Sequence, residues 1–187
     1  GDHIAVNTGI ITISDFRQKH VAAGCEGAPL SVYGDYLLFS NPNENRIMLN
    51  IGGISNFTFL PSAYSTEFFS SDVGPGNTLM DQFVQLNYPG KYFDQDAAIA
   101  SSGKVNHQLL DALFDHDFFR SAYFKTTGPE LFSLSYLNNA IQRSGLRGLS
   151  NEDIMATLTA FTAKAIVKAI TFCVEGKGAY EIYISGG

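Results

Sequence analysis

Residues 49–61, LNIGGISNFTFLP, hold two apolar runs on either side of a glycine pair, Gly52-Gly53, with Ser55 and Asn56 just beyond. The β-branched and aromatic residues of these runs predict strands over 46–51 and 54–60, joined by a tight turn. That turn has two readings. Glycine pairs are common in hairpins, where turning the chain is their whole task. Bare backbone N–H groups, with Ser55 and Asn56 beside them, also line concavities that bind anions. The stretch alone does not choose between them.

On its C-terminal side a third strand is expected over 66–71, then the turn-like DVGPGN (72–77), then an amphipathic helix from about Thr78. Leu79, Met80, Phe83, Val84 and Leu86 recur there at helical spacing. Helices and loops are expected over 94–145, including a helix opened by Pro129 and stopped by Gly145. Phe114, Phe118 and Phe119 read as core. The longest helix starts at Ser150, where Ser150 and Asp153 form a capping-box pattern, and stops by Gly176. Ile154, Leu158, Phe161, Ala165 and Phe172 mark its inward face, widened by Met155, Thr162, Ile166, Ile170 and Cys173. YEIYIS then returns as a strand. On the N-terminal side, NPNEN (41–45) is the best linker. Before it come a short helix over 3–9 stopped by Gly9, a buried strand IITIS (10–14), and a helix from Pro29 to about Phe39. Three strands, a helix, an insert, a long helix and a strand make a mixed α/β lobe.

Composition narrows the function. The 187 residues are 45% hydrophobic and 16% charged, as in a globular chain. A net charge of −6, without a Lys/Arg cluster, offers no footprint for nucleic acid or an anionic membrane. Apolar runs are short and interrupted, so neither a transmembrane helix nor a signal peptide is expected. Cys25 and Cys173 lie far apart and read as free thiols of a reducing, cytoplasmic setting. His3, His20, His107 and His116 follow no metal-binding spacing, and no direct metal ligand is expected. The chain begins without methionine and stops on a glycine pair after a strand, which reads as a segment of a longer protein.

Several residues suit chemistry. Asp15 closes the expected buried strand, the place where open α/β sheets carry ligand sites, and Arg17 is close in sequence. A carboxylate there can take a proton from an attacking hydroxyl or water, or it can merely cap the next segment. Gly74, Gly76 and Asn77 precede a helix, whose N-terminus suits phosphate or sugar hydroxyls, although Asn77 also reads as a plain N-cap. Asp72 suits a hydroxyl, a metal or a turn. Glu130 falls in the first turn of the Pro129 helix, where the helix dipole alone favours an acid. No G-x-G-x-x-G or G-x-x-x-x-G-K-[ST] is present, which argues against a Rossmann-type dinucleotide binder and a Walker phosphate loop.

Taken in order, SDFRQKHVAAGCEGAPL (14–30), LNIGGISNFTFLP (49–61), SDVGPGNTLMD (71–81), TTGPELFSLSYL (126–137) and DIMATLTAFTAKAI (153–166) resemble the anhydro-N-acetylmuramic acid kinases of the actin–hexokinase superfamily. The resemblance spans essentially the whole chain. It implies an actin/hexokinase-like, ribonuclease H-like fold. Residues 1–40 would end a first lobe, and 41–187 would form most of a second. It implies a sugar kinase that takes ATP with Mg²⁺ and 1,6-anhydro-N-acetylmuramic acid, opens the anhydro bridge with water and phosphorylates the 6-oxygen. It allows a homodimer. In that pattern Asp15 is the general base, and Gly52, Gly53, Ser55 and Asn56 form a phosphate loop. Arg17, Asp72, Gly74, Gly76 and Asn77 lie near the cleft, Thr127, Gly128 and Glu130 contact sugar, and Gly186 and Gly187 begin an adenosine loop. Two departures stand out. The superfamily's first phosphate loop and the elements beyond the adenosine loop have no counterpart here, and Cys25 replaces a usual glycine. The segment alone is therefore expected to be inactive. The rival expectation is a non-catalytic member of the fold that uses ATP as a conformational or assembly switch.

Overall fold

The computed structural model describes residues 1–24, 27, 31–121 and 125–187. In chain order the elements are α1 (Asp2–Thr8), α2 (Phe16–Ala22), α3 (Val32–Phe39), β1 (Asn45–Ile51), β2 (Ile54–Leu60), β3 (Phe69–Pro75), α4 (Thr78–Asn87), α5 (His107–Phe114), α6 (Asp117–Arg120), α7 (Leu134–Ser144), α8 (Asn151–Cys173) and β4 (Tyr180–Gly186). Short 3₁₀ turns lie at Gln95–Ala97 and Ala100–Ser102. The expected succession of three strands, helix, insert, long helix and strand is the one observed.

The sheet order is β3-β2-β1-β4. β1, β2 and β3 form an antiparallel meander, and β4 runs parallel to β1. A parallel neighbour requires a crossover, and α4 to α8 supply it. Ile47 and Leu49 pair with Phe59 and Phe57, so these four share one face. They are buried beneath Ile166, Ala169, Ile170 and Cys173 of α8. The opposite face carries a polar row in register, Ser185, Asn50, Asn56 and Asp72, running from β4 to β3.

A second core fills the helical insert. Leu79, Phe83 and Val84 of α4, Leu109, Leu110 and Leu113 of α5, and Leu137 and Ala140 of α7 meet the first half of α8 there. Phe114, Phe118 and Phe119 do pack as core, around Phe132 and Phe161 at centroid separations of 4.8 to 6.1 Å. By length and composition α8 would suit a membrane span. Here its apolar residues are taken up by the two cores.

The capping pattern at α8 is half realised. Ser150 Oγ accepts from Asp153 N–H at 3.1 Å, whereas Asp153 Oδ1 accepts from Lys104 N–H at 2.7 Å and ties the insert to the helix start. Ser150→Ala is expected to cost about 1 kcal/mol, read as a lower urea midpoint at unchanged slope.

Five expectations need correction. IITIS is not a strand: Ile10, Ile11 and Ile13 are 65%, 92% and 74% exposed. Strands exist through their hydrogen-bonded neighbours, and among the described residues none lies beside this segment. The third strand begins and ends later than expected, so DVGP belongs to β3. Gly74 pairs with Ser55 and Asp72 with Asn56 across a bulge, and the edge position of β3 tolerates Pro75. Glu130 does not open a helix. Leu131 N–H bonds Gly128 O at 3.2 Å, closing a turn that delivers Phe132 to the core, and α7 starts at Leu134. Phe172 is 62% exposed, because the inward stripe of α8 drifts onto Ala169, Ile170 and Cys173 as its partner changes from helices to sheet. Leu86 is likewise exposed. Cys173 is a free, buried thiol, pushed up to about 11 by burial and hence poorly reactive. Cys25 and the Pro29 helix start lie outside the described residues.

Candidate functional site

The hairpin tip and the start of α4 are one unit. Gly53 O accepts from Gly76 N–H at 2.9 Å and Thr78 N–H at 3.1 Å, and Gly52 O accepts from Asn77 N–H at 2.8 Å. Two of the amides that every helix start leaves unpaired, those of Asn77 and Thr78, are thus satisfied by hairpin carbonyls. Asn77 also extends its amide Nδ2 to Ile51 O at 3.5 Å. The expected helix-terminal anion site is accordingly occupied in part by the protein's own backbone.

The glycines divide by the reason they are needed. A Cβ on Gly76 would run into the Gly52 carbonyl, and one on Gly186 into the backbone of Ile51, where the φ of +113° also excludes other residues. Gly74, at φ +146°, faces Ala165 and Phe119 at 3.4 to 3.5 Å. A backbone clash excludes a side chain at Gly76 and Gly186, whereas at Gly74 the positive φ does. Gly52 and Gly53 differ. Neither has a positive φ. A Cβ would meet nothing nearer than 3.5 Å at Gly52 and 3.7 Å at Gly53. Neither turn geometry nor internal packing excludes a side chain at the tip. Ser55 is fully buried with its hydroxyl directed at Pro75 O, 3.4 Å away, so it supports the hairpin from within.

Beside this tip, at the carboxyl ends of parallel strands β1 and β4, lies a cavity of ≈ 680 Å³. Ile51, Ile184, Ser185, Gly186 and Gly187 form one wall, and Asn77, Met80, Asp81, Phe93 and Asp94 the other. Gly187 N–H bonds Ile51 O at 3.3 Å and holds the strand ends together. Burial raises the Asp81 carboxyl above its ordinary range. The Phe93–Asp94 wall continues into Asp96 and Ala97, two consecutive non-glycine residues at φ 55° and 53°. Such strain collects at functional segments.

Asp72 and Thr127, distant in sequence, are brought together. Thr127 N–H donates to Asp72 Oδ2 at 2.8 Å, and Asp72 N–H to Lys125 O at 3.0 Å. Glu130 is exposed and folds its carboxylate over buried Gly128 in the same loop. Asn56 stands between Asn50 and Asp72 in the polar row. Asp15 and Arg17, by contrast, are exposed at the start of α2 and line no part of the cavity. Asp15 adopts φ 71°, a left-handed conformation that costs an L-residue about 1–2 kcal/mol. No group of three or more metal-binding side chains occurs among the described residues.

The family model described as anhydro-N-acetylmuramic acid kinase matches residues 1–187. The chain belongs to this family. Its mixed sheet and crossover helices accordingly have the actin/hexokinase-like sugar kinase fold. The anhydro-N-acetylmuramic acid kinases of Pseudoalteromonas atlantica and Pseudoalteromonas translucida are each 54% identical over 187 residues, which is 100% of this chain and 47% of the relative. That of Caldanaerobacter subterraneus subsp. tengcongensis is 43% identical over 168 residues, 89% of this chain and 42% of the relative. The chain thus spans about half the length of the curated relatives it matches.

Within this kinase-family chain, sequence reasoning passed over Asp81 and Asn50. Asp81 sits on a helix's first turn, where an acid needs no further explanation, and only the approach of β4 makes it a cavity wall. Asn50 follows the outward alternation of β1 like any solvated strand residue.

Proposed function

We propose that this chain, at its relatives' full length, works as an ATP-dependent kinase acting on 1,6-anhydro-N-acetylmuramic acid. The observation that carries the reading is the Gly52–Gly53 tip, whose glycines neither turn nor packing requires and which lies next to a cavity at the ends of β1 and β4. In this reading the tip amides and Asn56 receive the terminal phosphates of ATP. Asp72, with Thr127 and Glu130, borders the sugar, and Arg17 and Asn77 flank the cleft. Asp15 takes a proton from water as the water oxygen bonds to C1. The C1–O6 bond breaks, O6 bonds to the γ-phosphorus, and ADP leaves. Magnesium, brought with the nucleotide, would supply charge neutralisation of the transferring phosphate, and no residue of this chain is assigned as its direct ligand. The strained backbone at Asp15 supports a functional role there. The exposure of Asp15 and of Ile10, Ile11 and Ile13 fits a segment completed by further protein in the first lobe. The product points to cell-wall recycling in the cytoplasm, and a homodimer is the assembly that the resemblance allows.

The test is incubation of the protein at that length with ATP, Mg²⁺ and the anhydro sugar. A sugar 6-phosphate formed one-for-one with ADP supports the reading. ADP without sugar phosphate, or nucleotide binding without turnover, favours the switch instead.

A further inference from the structure

Asp72 stands where two parts of the candidate site meet, and its carboxylate is engaged on one side. It lies on β3, at the edge of the sheet, and residues 125–127 cover part of that edge. Asp72 N–H donates to Lys125 O at 3.0 Å, Lys125 N–H to Ser71 Oγ at 3.3 Å, and Thr127 N–H to Asp72 Oδ2 at 2.8 Å. The last of these differs in kind. A bond to a carboxylate is roughly twice as strong as one between neutral groups, and this one holds the segment furthest into the loop.

Packing fixes the far end of the same loop. Phe132 is fully buried, and the turn closed by Leu131 N–H and Gly128 O leads into it. Glu130 lies between the two anchors, exposed, with its carboxylate in the space that any side chain at Gly128 would take. The place of that carboxylate therefore depends on where Thr127 is held. On its other side Asp72 pairs with Asn56 across the bulge between β2 and β3. One side chain thus ties the strand that carries Asn56 to the loop that carries Glu130.

We propose that Asp72 is a positioning residue, which acts through the Thr127 amide to set the Glu130 loop against the phosphate hairpin. Thr127 and Glu130 then meet the sugar, and Asp72 acts at one remove from it. This rests on the reading above, in which that loop borders the sugar.

A double-mutant cycle on the protein at its relatives' full length, with ATP and the anhydro sugar, tests it. Asp72→Ala is expected to raise the sugar KM about 10- to 100-fold, the size of a hydrogen bond to a charged group. Both kcat and the KM for ATP should change less than about threefold. Asp72→Asn keeps an acceptor of about half the strength, so its sugar KM should rise only about 3- to 10-fold. Glu130→Ala is expected to raise the sugar KM too, and the double variant should stay within about threefold of the poorer single one. Amide exchange at Thr127 needs no turnover. It should be slow in wild type and Asp72→Asn and faster in Asp72→Ala. Losses that multiply in the double variant would make Asp72 a direct ligand and overturn the inference. So would an equal rise in the KM for ATP, or Thr127 exchange that ignores the alanine substitution. Asp72→Asn is nearly isosteric and keeps the test open if alanine does not fold, since loss of Thr127 protection in that variant overturns the inference by itself. A wild type that makes no sugar phosphate, or a Glu130→Ala protein with an unchanged sugar KM, overturns instead the reading on which the inference stands.

Discussion

Replacing Gly76 with alanine is expected to destabilise the protein by about 2–4 kcal/mol, while alanine at neighbouring Gly53 costs less than about 1 kcal/mol. The contrast follows from what each Cβ would meet. At Gly76 it would overlap the Gly52 carbonyl and lie 3.0 Å from Ser55 Oγ, where the obstacle is backbone and cannot rotate away. Relief requires the hairpin tip and the start of α4 to part. That loosens the three bonds from Gly76, Asn77 and Thr78 to the Gly52 and Gly53 carbonyls, each worth about 0.5–1.5 kcal/mol net. At Gly53 the added carbon meets only Thr78 Cβ, at an ordinary 3.7 Å. Thermal unfolding reads the difference, at about 2–4 °C per kcal/mol for a chain of this size. The two variants separate again in nucleotide binding. Gly53→Ala, although stable, is expected to weaken ATP, because the carbon would stand where the proposed reading brings the phosphates to the tip amides. Unchanged ATP affinity in Gly53→Ala would return the tip to an ordinary hairpin.

Asp15→Asn is expected to lower sugar-phosphate formation by about 10²–10⁴-fold, the usual contribution of a positioned general base. The amide is nearly isosteric but cannot take the proton from water. Asparagine tolerates the left-handed backbone recorded at φ 71°, so folding should be unaffected. The decisive readout is kcat, with KM for both substrates changing little. Turnover within about threefold of wild type would remove Asp15 from the mechanism, and an equal loss through KM would make it a binding residue.

Much of the fold was legible because local signals agreed with the tertiary result. The Ser150 cap, the Gly145 stop and the β-branched and aromatic runs of β1 and β2 each mark the observed elements. What escaped depended on neighbours. IITIS has strand chemistry but no adjacent strand among the described residues. Pro75 and Gly74 look like turn residues, yet an edge position and a bulge keep them in β3. The glycines of the site were legible as a set but not in their roles. Sequence alone cannot tell Gly76 and Gly186, excluded from bearing side chains by neighbouring carbonyls, from Gly52 and Gly53, which have room. Asp81 was invisible as a cavity residue for the same reason, since β4 lies about a hundred residues further along the chain and forms the facing wall.

The central claim, that bridge opening and phosphorylation are one reaction, is tested most directly by the mass of the sugar product made in ¹⁸O-enriched water with ordinary ATP. The account predicts a single ¹⁸O in the product, on the sugar at C1, together with one unlabelled phosphoryl group on O6. A phosphorylated sugar without solvent oxygen, a hydrolysed sugar without phosphate, or label in the phosphate would contradict it.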